Sequence, residues 1–438
     1  MCLRGARWLQ FPFAERSGCM KTREFTLLQY PQPDREIIPI SRQPFLHPAY
    51  AEKQYNKGMP NMSSNFTLGV EEEFQLVDTH TGELRSCAPA ILARGYEQFG
   101  EQITSEVLQA TLELTSDVFP TIEVARQALS VSRAKLAKLV AQEGVALMSA
   151  GTHPSSSWKV QKRSEGERYD ELVAEYQDVV LSDQIFGLHV HVGIGESARD
   201  HEIGMKVFSQ ARTWLPHLLA LSTNAPFWEG RYTGLKSYRA VQRRRFPRTG
   251  IPDAFASWSD YERYVQRLVA MGAIDNGKKI WWDMRPHIFF PTLEFRICDM
   301  PATLEDTLAI AALCQALVAK LTWLNERGRE VPVLSSHFIE ENEWGAMRYG
   351  LDARWLDFTQ ERTISMRAAL ADLLDFVDEV VAELGSRKEI NYLRALLEDK
   401  RGTGADQQIA VYKESGDLHR VVSFLCAQTM QGIQSTEG

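Results

Sequence analysis

Several common signals are missing from this chain. Its six cysteines, at positions 2, 19, 87, 298, 314 and 426, are scattered and form no CxxC pair. That argues against a disulfide framework or a thiolate zinc site and suits a reducing cytoplasm, the expected compartment. Basic charge is also scarce: 49 Lys and Arg face 57 Asp and Glu, for a net charge of -8. With no global positive field, neither nucleic acid nor a membrane surface is an expected partner. The most apolar long run, Leu308 to Leu324, carries Gln315 and Lys320 and reads as a buried helix rather than a membrane span. The first residues hold early arginines, but Pro12 and nearby charges break their apolar stretch, so no secretory signal is read there. No internal repeat is evident. The GTGA segment at 402–405 lacks the following GK[ST] of a phosphate-cradling Walker loop and reads as a turn before a helix.

What is present begins with a proline-rich stretch, residues 1–62, without helical or alternating periodicity. It reads as an irregular or disordered extension, and its removal is expected to leave activity unchanged. Met59 and Met62 stand just before the first strand, which agrees with a start there. From 63 to 435 no linker is visible, so one large catalytic domain is expected.

Four segments of that domain alternate. In FTLGVEEEFQLV, 66–77, Leu68, Val70, Phe74 and Leu76 fall on one face and Gly69, Glu71, Glu73 and Gln75 on the other. VLQATLELTS, 107–116, places Glu113 opposite an apolar face. FGLHVHVGI, 186–194, opposes His189 and His191 to five apolar residues, and TLEFRIC, 292–298, opposes Glu294, Arg296 and Cys298 to Leu293, Phe295 and Ile297. Amphipathic helices separate these strands, and the chain beyond Pro301 reads as mostly helical. Strands with one apolar face belong to an antiparallel sheet covered on one side. The expected fold is therefore α+β, with one helix-covered face and one open polar face that forms the active site.

That polar face gathers carboxylates and imidazoles. Glu71 and Glu73 alone lie about 7 Å apart along one strand, and such a pair calls for cations. Glu71, Glu73, Glu113, His189 and Glu294 make an oxygen-rich ligand set for a hard divalent ion, magnesium or, with the imidazole, manganese. Arg296 offers a guanidinium fork to a phosphate or carboxylate, and His191 joins it as a candidate catalytic group. Zinc is the competing reading of HxH. In the loop-like segment 237–248, five arginines include Arg239 and Arg245, candidates for holding anionic substrate groups. His153 reads as structural, Cys298 as a small residue lining the site, and Glu72, on the apolar side, as one half of an ion pair.

GVEEEFQLVD at 69–78, LELTS at 112–116, FGLHVHVGI at 186–194, LEFRICDMP at 293–301 and GTGADQQIAVY at 402–412 together resemble the carboxylate-amine ligase family, the type 2 glutamate-cysteine ligases. The likeness spans about 63 to 435. It implies a glutamine synthetase-like fold and an ATP-dependent ligase of glutathione biosynthesis that forms γ-glutamylcysteine through a γ-glutamyl phosphate. It also implies magnesium on Glu71, Glu73, Glu113, His189 and Glu294, with Arg296 on the transferring phosphoryl group. Partners would be the small substrates ATP, glutamate and cysteine or another amine, and a homodimer suits the fold. Three alternatives stand beside it: a phosphotransferase on a related sheet, a metal-dependent amidohydrolase, and a non-enzymatic binder of nucleotide or amino acid.

Overall fold

The computed structural model describes residues 66–329 and 331–433; the extension expected at 1–62 lies outside them. Eleven strands are present among these residues: β1 (Leu68–Asp78), β2 (Ile103–Ser105), β3 (Thr111–Thr115), β4 (Val145–Met148), β5 (Leu188–Gly193), β6 (Phe227–Trp228), β7 (Arg231–Tyr232), β8 (Met284–Pro286), β9 (Thr292–Phe295), β10 (Arg354–Asp357) and β11 (Arg362–Ser365). Seven of them form one sheet in the order β2-β3-β1-β5-β9-β8, with β4 pairing the far half of β1. Every pairing in it is antiparallel. β6–β7 and β10–β11 are separate two-stranded ribbons.

The expected alternation is visible in burial. Leu68, Val70, Phe74 and Leu76 of β1 are buried, as are Leu188, Val190 and Val192 of β5, each removing roughly 1.5–3 kcal/mol worth of apolar side chain from water. Helices cover this face. The longest, Leu304–Glu326, opens with a capping box from Thr303 and Asp306. It packs against β1, β5 and the helices Ile122–Ala141, Ala198–Ala211, Met366–Leu384 and Arg387–Glu398. It is long and apolar enough to cross a membrane, but 94% of its most apolar window is buried within the protein. Gln315, polar within that run, donates to the carbonyl of Phe66 at 2.6 Å and so ties the helix to the entry of β1.

Glu72 finds its partner here. Its carboxylate lies on the covered face, fully buried, and accepts from both Nε (3.1 Å) and Nη2 of Arg133 in the helix Ile122–Ala141. Arg133 also donates to Thr307 Oγ1 at 3.1 Å and lies over the Phe74 ring at 5.3 Å. A buried charge of this kind is tolerated because its hydrogen bonds are satisfied.

Several expected segments are adjusted. The run 107–116 is a strand only from Thr111, the helix expected over 163–180 breaks at Gln177 (φ 47°), and the strand expected to reach Cys298 ends at Phe295. The stretch 237–248 holds a short helix, Tyr238–Arg243, rather than an open loop.

Candidate active site

Sheet register assembles the site. β1 sets Glu71 opposite His189 and Gly69 opposite His191 on β5. It sets Glu73 opposite Glu113 on β3. β9 places Glu294 opposite His191 on one side and opposite Arg285 of β8 on the other. Gly69 lets the two strands approach closely here: a Cβ there would meet that of His191 at 3.3 Å, a tight contact.

Glu71 is the centre. Its Oε2 lies 2.8 Å from His189 Nδ1 and its Oε1 3.1 Å from His191 Nε2. Burial opposes its charge, yet the two imidazoles hold its carboxyl well below the usual range. The same contact raises His191 despite burial, whereas burial and the Arg296 guanidinium lower His189. Glu294 is fully enclosed, and it accepts from Arg285 at 2.6 and 3.2 Å and from Arg296 Nη1. Against the cost of burial, Arg296 and then Arg285 drive its carboxyl far down. This half of the site is charge-balanced.

The other half is not. Burial, with Glu106, Glu71 and Glu73 beside it, lifts Glu113 well above the usual carboxylate range. Burial and Glu73 push Glu106 up to about 7. Asp183 also rises to about 7, chiefly through burial, with Arg243 and Arg245 pulling against it. Glu73 accepts from the Gly187 N–H, and its Oε1 lies 3.7 Å from His189 Nε2.

Among the described residues two ligand groups emerge: Glu71, His191 and Glu294, and Glu71, Glu113 and His189, each with its donor atoms within 4.8 Å of one another. Glu71 belongs to both. The donor chemistry fits a hard divalent cation, oxygen-rich with one imidazole per group. Two further features agree with it. His189 Nε2 is buried without a hydrogen-bond partner, and the like-charged carboxylates around Glu113 require positive charge. Neither group contains two imidazoles, so the HxH pair does not gather into the histidine-rich set a hydrolytic zinc centre uses.

Of the residues expected here, Glu71, Glu113, His189 and Glu294 fall into these groups, Glu73 stands beside them, and Arg296 binds Glu294. His191, expected among the catalytic groups, sits instead among potential ligands. Three expectations change. Arg239 is enclosed and donates to the carbonyls of Ile297 (3.1 Å) and Arg296 (3.2 Å), so it shapes the strand exit rather than meeting substrate. Arg245 is turned onto Ser182 Oγ (2.6 Å) and Ser182 O (3.2 Å) and lines a cavity of about 300 Å3 with Trp158, Trp228 and Gln242. Cys298, past the end of β9, is buried in the core near the carbonyl of Leu218, where burial pushes its thiol up to about 12.

The sequence reading missed Arg285, Glu106 and Asp183, and left Arg243 unranked among the five arginines of 237–248. Arg243, on the same short helix as Arg239 and four residues on, is close enough to Asp283, Arg296 and Glu73 to feel their charges. A signal existed for that one alone, since positions i and i+4 share a helix face. His153 is structural as expected: its Nδ1 accepts from the backbone N–H groups of Ser155 and Ser156.

Comparison with known proteins agrees with this frame. A model of glutamate-cysteine ligase family 2 matches residues 67–423. A Solibacter usitatus protein named "Putative glutamate--cysteine ligase 2" is 43% identical over 376 residues, 86% of this chain and 96% of its own. Its namesake from Chloroflexus aurantiacus is 46% identical over 368 residues, covering 84% and 93%. Among solved structures, the glutamate–cysteine ligase of Francisella tularensis in complex with AMP superposes with a TM-score of 0.65 at 12% identity, covering 85% of this chain and 90% of that one. A bifunctional glutathione synthetase from Pasteurella multocida gives 0.64 at 13%, covering 84% and 53%. These two share its fold. With the family pattern running through nearly all the described sheet and helices, the chain belongs to glutamate-cysteine ligase family 2.

Proposed function

We propose that the protein is an ATP-dependent carboxylate–amine ligase that joins the γ-carboxylate of glutamate to an amine, with cysteine the first acceptor to test. The observation that carries this reading is Glu71, a single carboxylate common to two ligand groups, with Arg296 and Arg285 fixed beside one of them. Glu71, His191 and Glu294 would hold one magnesium ion and Glu71, Glu113 and His189 another, with Glu73 alongside. Magnesium held there neutralises charge on the phosphates of ATP.

The chain's own groups do the rest. Arg296 gives fixed positive charge next to the transferring phosphoryl group, and Arg285 holds Glu294 in place beneath it. A γ-carboxylate oxygen of glutamate attacks the terminal phosphorus as the bond to ADP breaks, giving an acyl phosphate. The amine nitrogen then attacks the acyl carbon, the carbon–oxygen bond breaks, phosphate leaves, and the nitrogen gives up its proton. Such chemistry depends on positioning and charge neutralisation rather than a protein nucleophile, and Cys298, fully buried, is not offered as one. With cysteine the product is γ-glutamylcysteine, a precursor in glutathione biosynthesis.

The test is ADP release by the purified chain with ATP, magnesium and glutamate across a panel of amines, each product identified by mass. Cysteine-dependent release with a γ-glutamylcysteine mass supports the full reading. Release with another amine keeps the ligase and replaces the acceptor. A stable phosphorylated product, with no amide, would indicate a phosphotransferase instead.

A further inference from the structure

We propose that the tip of the β8–β9 hairpin, Phe289 and Phe290, is the stacking platform for the purine base of the nucleoside triphosphate. The inference rests on the ligase reading and adds to it the place where the base lies. Both phenylalanines are exposed, by 58% and 60%, and stand next to each other at the tip as a contiguous apolar patch rather than a single scattered ring. They stand at the end of a ring-to-ring path that starts at the ligand groups. His191 meets His287 edge to face at 5.4 Å, and His287 stacks on Phe290 at 4.7 Å and 10°. Phe290 is therefore two ring steps from a side chain of the Glu71–His191–Glu294 group. A triphosphate whose phosphates meet that group, extended by its ribose, spans such a gap and delivers its base to the tip.

The tip is held in shape by its own root. His287 Nδ1 accepts from the backbone N–H groups of Phe289 (3.3 Å) and Phe290 (3.1 Å). Ile288 packs onto Gly277, where an added Cβ would meet it at 3.0 Å. One face of the Phe290 ring stacks on His287, while the residue as a whole stays 60% exposed. Lys278 Nζ sits 5.0 Å over the Phe289 ring, a cation placed to meet a ribose or phosphate oxygen. Flat π-surface with adjacent positive charge is the chemistry that recognises a base.

The experiment compares two probes on the full chain with magnesium present: ATP and inorganic tripolyphosphate, which has the phosphates without the base. Calorimetric titration of wild type, Phe290→Ala, Phe289→Ala and Phe290→Leu separates the contributions. The expected result is a loss of ATP affinity of roughly tenfold or more in the alanine variants, the size of a lost base–aromatic stack, with tripolyphosphate affinity unchanged. Phe290→Leu, which keeps apolar bulk and loses the ring face, should resemble Phe290→Ala. A parallel fall for both probes would mean the tip only shapes the phosphate end and would overturn the platform. So would unchanged ATP affinity, or a fall in dimer content with affinity intact, which would make the tip a contact between copies. Wild type that binds neither probe would defeat the ligase reading itself.

Discussion

Glu73 and Glu113 face each other directly across two antiparallel strands. Side chains so paired stand with Cβ atoms about 5 Å apart, where like charges destabilise a sheet. The pairing is intelligible if a cation is to lie between them.

Glu113→Gln should therefore raise the stability of the magnesium-free protein, by about 0.5–1 kcal/mol, and at the same time abolish most turnover. Urea denaturation with and without magnesium checks it. Wild type should gain stability on adding the ion while the variant gains little; equal gains would remove Glu113 from the ligand set.

The raised carboxyls should make stability without divalent ion fall as pH rises from roughly 4.5 to 7, less the opposite contribution of His153, His217 and His287, whose imidazoles are lowered by burial. Glu106 and Asp183, raised to about 7 mainly by burial, keep protons in the folded chain that the unfolded chain releases lower down. The folded state then binds more protons across that window, so its advantage shrinks as they leave. Asp299, raised to about 6, and Glu343, raised to about 8, act in the same direction and, like Glu106 and Asp183, belong to neither ligand group, whereas Glu113, also raised, belongs to one. Glu71 and Glu294, both held low, matter only below the window. Magnesium should flatten part of this slope and leave the remainder. A slope that magnesium does not touch would count against the ligand assignment.

Arg296→Gln should cut kcat by roughly 10²-fold, the cost of losing one fixed charge aimed at the reacting group, with a smaller change in the KM for ATP. Arg285→Gln should act through Glu294 and weaken magnesium activation. If the Arg285 variant kept wild-type magnesium dependence, its 2.6 Å bond to Glu294 would be structural only.

Gly187→Ala should disable the enzyme without touching any ligand. A Cβ at this position would stand 2.2 Å from Arg239 Nη2, and it would force the guanidinium off the carbonyls of Ile297 and Arg296. Arg239→Ala in the same chain should relieve the clash and recover solubility ahead of activity. A fully active Gly187→Ala enzyme would show that the strand exit tolerates the shift.

Arg133→Met should cost about 3–5 kcal/mol, because it leaves Glu72 charged and buried. The double variant Glu72→Met with Arg133→Met should regain much of that, as measured by denaturant midpoints. A single variant as stable as wild type would contradict the pairing.

Alternation made β1, β3, β5 and β9 legible because each has a buried face long enough to show the period. β2 and β8 are three residues each, and β8 includes Pro286, so neither has a period to read. Arg285 was hidden with them. Cys298 was misplaced by carrying the alternation of β9 past Phe295, where the strand ends. The five arginines of 237–248 could not be ranked as a loop; only the folded chain shows Arg239 spent on backbone carbonyls and Arg243 beside Asp283 and Glu73. Glu106 and Asp183 lie outside any strand, so their entry into the site depends on tertiary folding that no local pattern encodes.

The Glu72–Arg133 pair has one more consequence, for folding. Glu71, Glu72 and Glu73 make β1 nearly self-similar when slid along its neighbours. A two-residue slip would put Glu73 where Glu71 belongs, and a one-residue slip would turn the middle carboxylate outward. Apolar burial penalises the odd slip strongly and the even one less. Arg133, fixed by Thr307 and by the carbonyl of Thr429, accepts only one of the three glutamates at one height. The pair thus acts as a proofreading contact, rejecting the misaligned sheets in which the carboxylates would be present but in the wrong seats.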